Sequence, residues 1–165
     1  MDNLAFVTYE EQYLDQVRQT YNYYVANTTV SFDLELCSRE GMRQLIEPVS
    51  PLYRSFVIVW DGQYAGYVLM TQHKKKAAFQ VTAEITIYLD PAYTGRGIGK
   101  AAVPFLEQLA RESGIHSLVA AICSENEGSL KLFGKHGYIP CAHYREVAYK
   151  FDRWLDLICL QKILR

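Results

Sequence analysis

The chain carries almost no surplus of charge. Its 17 Lys and Arg stand against 18 Asp and Glu, a net of −1, so no overall field draws it to nucleic acid or to an anionic membrane surface. No apolar run approaches the roughly 18 residues that a membrane span needs. The opening residues, MDNLAFVTYEEQ, lack the basic start and long apolar stretch of a secretory signal, and the expectation is a cytoplasmic protein. Cysteine is sparse: Cys37, Cys123, Cys141 and Cys159 are widely and irregularly spaced, with no CxxC pair. That spacing speaks against a zinc site and a small disulfide scaffold, and no metal is expected. Repeats, low-complexity segments and linkers are missing too.

What is present is an ordinary globular composition. Of 165 residues, 50% are apolar and 21% charged, enough for one domain, 1–165, with a real core. LAFVTY (4–9) reads as a first strand. Leu14, Val17, Tyr21, Tyr24 and Val25 then fall on one helical face; helical spacing accounts for most of the tyrosines of TYNYY as packing residues. ANTTVSFDLEL (26–36) is loop or extended chain. SREGMRQLIEPV is a second helix, with Ser38 as cap and Pro48 near its end. SFVIVW (55–60) is a buried strand, Asp61-Gly62 a hairpin turn, and YAGYVLMTQ (64–72) the return strand.

After the basic turn HKKKAAF (73–79), FQVTAEITIYL (79–89) alternates. Val81, Ala83, Ile85 and Ile87 take one face; Thr82, Glu84, Thr86 and Tyr88 take the other. Ile98, Ala101, Ala102, Phe105, Leu106 and Leu109 form the clearest amphipathic helix, with Gly114 as a stop. SLVAAIC (117–123) is a buried strand. A short helix follows, capped by Ser124 or Asn126 and ended by Gly137, and two late strands close the chain. This order gives a mixed α/β sheet.

Between the alternating strand and the amphipathic helix, Gly95, Gly97 and Gly99 recur within five residues. Glycines there permit a sharp turn and close approach to the amides. The open N–H groups of the helix start, its dipole, Arg96 and Lys100 complete a cradle for phosphate or pyrophosphate. The other reading is a helix start that uses glycines for packing. A P-loop ending on Gly99-Lys100 needs glycine at 94 and a hydroxyl at 101; the chain has Thr94 and Ala101. Gly97 to Ala102 fits the dinucleotide pattern G-x-G-x-x-A, with Glu125 after the next strand. Too little chain remains for a doubly wound sheet, however, and nicotinamide binding stays an outlying option.

YLDPAYTGRGIGKAAVPFL resembles the acyl-CoA-binding signature of the GNAT N-acetyltransferase superfamily, and SENEGSLKLFGKHGYIP resembles its later Asn-helix-Gly-aromatic segment. YNYYVANTTVSFDLE, VTAEITIYL and VAYKFDRWLDLICLQKIL are similar to segments of phosphinothricin and methionine sulfone/sulfoximine acetyltransferases, in the same order. The resemblance implies an α+β fold with a mixed, mostly antiparallel sheet flanked by helices. It also implies a homodimer, and transfer of acetyl from acetyl-CoA to the primary amine of a small amino-acid-like substrate.

By that resemblance, backbone groups of Ile87, Tyr88 and Leu89 align thioester and pantetheine. The amides of Gly95, Arg96, Gly97, Ile98, Gly99 and Lys100 hold the pyrophosphate, and Asn126 binds the cofactor where its other role is helix cap. Glu84 matches the family's general base. A carboxylate there makes chemical sense, because an amine is largely protonated at neutral pH and must lose a proton before attacking a thioester. At about 3.3 Å per residue, Glu84 lies roughly 13 Å along the strand from Tyr88, beyond the cofactor's reactive end; its other reading is a solvated strand residue. Phe32, Glu35, Ala78 and Phe79 match the acceptor side, and Lys76 joins them as a nearby charge. Three departures stand out: Thr94 replaces Gln or Arg, Phe133 replaces a tyrosine acid, and the arginine that the family often carries upstream of Ala78 is absent. Lys74, Lys75 and Lys76 put charge nearby without a bidentate fork; the run also reads as a solvated turn. The alternative function is a CoA- or nucleotide-binding module with impaired catalysis.

Overall fold

In the computed structural model, which describes residues 3–165, seven strands form one sheet in the order β1-β2-β3-β4-β5-β7-β6. The strands β1 (Leu4–Thr8), β2 (Arg54–Trp60), β3 (Gln63–Gln72) and β4 (Thr82–Leu89) make one antiparallel half. A second antiparallel half contains β5 (Ser117–Cys123), β6 (Ile139–Lys150) and β7 (Arg153–Ile163). The halves join at β4 and β5, which run parallel. Four helices flank the sheet: α1 (Leu14–Asn27), α2 (Arg39–Ile46), α3 (Ile98–Glu112) and α4 (Glu127–Lys135).

The period of two along the strands divides the helices between the faces. Phe56, Ile58, Val68 and Met70 pack with Ile98, Ala102 and Leu106 of α3 and Phe133 of α4. Their neighbours Val57, Tyr67 and Leu69 pack with Leu14 and Val17 of α1 and Met42 and Ile46 of α2. Strands covered on both sides must be apolar at every position, which is why SFVIVW shows no alternation. Each such side chain contributes about 1.5–3 kcal/mol on burial. The local signals hold as well. The Ser38 hydroxyl accepts from the Gly41 amide at 3.0 Å and starts α2, and Asp61 and Gly62 both take positive φ in the β2–β3 turn, as a tight hairpin requires.

One expectation needs correction, and the two late strands, present as expected, carry bulges. The strand expected from residue 79 begins at Thr82; Ala77–Val81 coil instead into a 3-10 turn. β3 ends opposite Ala83 and the pairing with β5 starts at Thr82–Ser117, so the chain before Thr82 has no ladder to join, and Val81 is half exposed. The last two strands are bulged, with register shifts between Pro140 and Ala142 and between Tyr144 and Ala148. Proline has no N–H to give a ladder, and bulges sit readily on an edge strand such as β6.

Gly66 of β3 lies against the end of β4. A Cβ there would stand 2.3 Å from the Tyr88 carbonyl oxygen and 2.9 Å from the Leu89 Cα, both backbone atoms that cannot swing aside. Gly66→Ala should therefore cost about 1–3 kcal/mol, lowering the melting temperature by roughly 2–4 °C per kcal/mol in a domain of this size. An unchanged melting temperature would show that the β3–β4 contact yields freely.

Candidate active site

The site begins with a failure of pairing. β4 and β5 pair at Thr82–Ser117, Ala83–Leu118 and Glu84–Val119, and there the pairing ends. Each strand is held by a different neighbour: β4 pairs with β3 from Ala83 to Leu89, and β5 pairs with β7 from Ser117 to Cys123. Sheet twist then drives the two apart. Ile85–Leu89 and Ala120–Cys123 line a cleft of about 440 Å³ between them. Backbone N–H and C=O groups along the parted edges have no ladder partner, and an extended ligand bearing amides can supply one.

One end of this cleft meets the glycine turn. The Asp90 carboxylate accepts from the Ala92 amide at 2.9 Å and opens a 3-10 turn at Pro91–Tyr93. Gly95 and Gly97 follow at φ 75 and 80, and Gly97 precedes α3 with no side chain capping the helix. The first amides of α3 are thus left open. A Cβ on either glycine would meet nothing within 4 Å, so these positions demand glycine for its backbone angle rather than for room. Gly99 is different: a Cβ there would stand 2.9 Å from Leu132 of α4, and this close contact brings the two helices together at the cleft.

The expected cofactor residues fall into two groups. Ile87, Tyr88, Leu89, Gly95, Gly99 and Asn126 line the cleft, joined by Thr94, Ser129 and Phe133. Arg96, Gly97, Ile98 and Lys100 do not line it. Ile98 points into the core, and the Arg96 guanidinium lies over the rings of Tyr93 and Trp60, at 4.9 and 5.8 Å. The Asn126 side-chain oxygen accepts from the Ser129 amide at 3.3 Å and caps α4, which settles the choice between Ser124 and Asn126. Its amide nitrogen is left over for a ligand.

Tyr88 stands at the junction of two openings. Its ring is stacked on Tyr67 and flanked by Tyr21 and Tyr24. Burial, helped by the charge of Asp33, pushes its phenol up to about 12. The Tyr24 hydroxyl donates to the Leu89 carbonyl at 2.5 Å and pins the strand end. Beyond Tyr88, Val30, Ala121 and Cys123, which the cleft shares, a second opening of about 280 Å³ is walled by Tyr21, Ser31, Phe32, Asp33 and Leu157. Of the residues expected on the acceptor side, Phe32 lines this opening. Glu35, Ala78, Phe79 and Lys76 are exposed and line neither space.

Glu84 sits in the last paired row, where the two strands part. Its carboxylate meets His73 Nδ1 at 3.0 Å, both side chains half-buried, and the His73 ring packs edge-on against Phe79. His73 escaped the sequence reading because it heads a lysine run that looks like a turn.

A second group was equally hidden: the ties of the loop between α1 and α2. Thr29 donates to Glu125 at 2.8 Å, and Arg153 grips the same carboxylate with two nitrogens, at 2.8 and 2.7 Å. Lys150, buried, donates to the Ser31 carbonyl at 2.7 Å. Asn22 exchanges two hydrogen bonds with the Cys37 backbone. Glu125, the acidic residue of the dinucleotide pattern, is thus already engaged. With a single parallel strand pair in the sheet, the nicotinamide option loses its structural basis.

All four cysteines are free. Among the described residues no group of His, Cys, Asp and Glu is placed to hold a metal, and no helix is long and apolar enough to cross a membrane.

A sheet opened between two parallel strands, with a glycine turn at the mouth, defines an acyltransferase that grips a long, phosphate-ended donor. The chain belongs to the acetyltransferase (GNAT) family, whose model matches residues 14–138, and it is an acetyl-CoA-dependent N-acetyltransferase. It is 30% identical to the phosphinothricin N-acetyltransferase of Streptomyces coelicolor, over 93% of this chain and 92% of that one. It is 32% identical to the L-methionine sulfoximine/L-methionine sulfone acetyltransferase of Salmonella typhimurium, over 88% and 85%. The acetyltransferase YncA of Salmonella typhimurium, solved with its cofactor acetyl-CoA, superimposes with a TM-score of 0.87 at 27% identity and covers 98% of this chain and 94% of its own.

The Arg153 guanidinium and then the Thr29 hydroxyl hold the Glu125 carboxyl down at about 2, against an ordinary 4.5. A depressed carboxylate adds stability above its unfolded value and loses it as the pH falls through the folded one. The stability difference between wild type and Glu125→Gln should be present near neutral pH and fade between pH 4.5 and 2, small because the pair is solvent-screened. Acid unfolding curves read it; a difference that persists below pH 2 would refute the tie.

Proposed function

We propose that the enzyme acetylates the primary amine of a small amino-acid-like molecule by direct attack, with Glu84 as general base. The observation that carries this reading is the parting of β4 from β5 at the Glu84–Val119 row. Glu84 itself lines neither opening, but it stands in that row next to Ile85 and Thr86 of the cleft wall, and the wall runs on to the glycine turn at Thr94 and Gly95. In this reading the amides from Gly95 to Lys100 hold the pyrophosphate. The free edge of Ile87, Tyr88 and Leu89 pairs with the pantetheine arm, and the Asn126 side-chain nitrogen donates to it. Acetyl-CoA supplies the activated acyl carbon.

The acceptor enters by the second opening, past Phe32, within reach of Tyr88. Glu84 takes a proton from its ammonium, directly or through water, and His73 Nδ1 keeps the carboxylate aimed. The freed nitrogen pair attacks the thioester carbon, the carbon–sulfur bond breaks, and the electron pair leaves on sulfur. A β4 amide aimed at the carbonyl oxygen stabilises the charge that develops there. Phe133 has no proton to give, so the thiolate takes one from water or from the outgoing ammonium. The same reading includes a homodimer, to which the exposed Tyr144, Val147, Tyr149 and Trp154 of β6 and β7 would contribute; sedimentation at micromolar concentration should give twice the chain mass, and a monomer would remove it.

Thiol release from acetyl-CoA with a panel of amines tests the reaction. Glu84→Gln should lower kcat by about 10²–10⁴-fold and flatten the acid limb of the pH–rate profile. Acetyl-CoA should still protect the variant against heat, because a ligand that binds only the native state raises its melting temperature. Full activity in Glu84→Gln would remove it from the base role.

A further inference from the structure

We propose that Asp33 narrows the amino-acid-like class to acceptors that carry a second positive charge, so that basic amino-acid derivatives and the diamines left when they lose the carboxylate are favoured over acceptors with a second acidic group. The inference rests on the reading that the second opening admits the acceptor. Among the residues that wall that opening, Asp33 is the one with a formal charge. No lysine or arginine lines it, and the three lysines at 74–76 are exposed and apart from it.

The carboxylate is fixed. The Tyr21 hydroxyl donates to Asp33 Oδ2, the Ser31 hydroxyl donates to Tyr21, and the Asp33 amide donates to Ser31 Oγ at 3.1 Å. Tyr21 packs edge-on against Tyr88, so the carboxylate is braced against the residue that the two openings share. A carboxylate held by one oxygen keeps the other for a cation, and a preorganised charge loses little entropy on binding. Lys150 is buried with its Nζ on the Ser31 carbonyl and is not among the residues that line the opening. It steadies the loop. Arg153 is likewise spent on Glu125. An acceptor with a carboxylate and a phosphinate would bring its negative charges toward Asp33 with no cation lining the opening to meet them.

The test compares three primary amines, 1,4-diaminobutane, methionine sulfone and phosphinothricin, at saturating acetyl-CoA. The expected order of kcat/KM is diamine, then methionine sulfone, then phosphinothricin. Asp33→Asn should lower kcat/KM for the diamine about tenfold or more, mainly through KM, while methionine sulfone holds or gains a little and phosphinothricin gains most. A preference for phosphinothricin in the wild type, or an equal loss on all three amines in Asp33→Asn, would overturn the assignment and leave the transferase reading standing. Loss of protection by acetyl-CoA in Asp33→Asn would move the residue to the donor side and also overturn it. No turnover of any amine would remove both readings together.

Discussion

The geometry of the whole site follows from one constraint: two parallel neighbours in the sheet are each zipped to a different antiparallel partner. β4 follows β3 and β5 follows β7, and the natural twist of the two ribbons leaves only three rows in common. A longer β4–β5 ladder would close the cleft and satisfy every backbone group. A shorter one would divide the sheet into separate halves with no shared core. The three rows that remain are continuous with the larger apolar cluster through Ala83, Leu118 and Ile85, so the opening is supported by well-packed side chains on one face.

On the opposite face the support is polar and comes from far along the chain. The loop from Thr28 to Ser38 has no regular structure, and its own residues could not hold it. Glu125, Lys150 and Arg153 fasten it from the second half of the sheet, and Asn22 and Arg18 fasten it from α1. Such charge-assisted bonds give direction as well as energy. They bring Phe32 and Asp33 to the wall of an opening that the backbone alone would leave unlined.

The fold and the glycine turn were largely legible in the sequence, because both depend on local rules. Ser38, Asp61-Gly62 and the stripe from Ile98 to Leu109 each declare their element through neighbours a few residues away. The glycine turn declares itself too, although the reason for Gly95 and Gly97 proved to be backbone angle and not room. The ties of the loop that walls the second opening were not legible, since Thr29 and Glu125 stand 96 residues apart and Arg153 a further 28 along, and no pattern in the sequence ties them. His73 was hidden in the same way: its partner Glu84 lies across a hairpin whose turn ends in a 3-10 segment, Ala77–Val81, and the alternation takes the last three of those residues into the strand. Propensity and period read the elements, whereas long-range pairing decides which side chains meet.

Tyr88 borders both openings, and with Val30, Ala121 and Cys123 it forms a wall common to the two. A common wall couples the spaces, because any shift of the Tyr88 ring reshapes both at once. The rings of Tyr67, Tyr21 and Tyr24 that hold it therefore set the outlines of both spaces together.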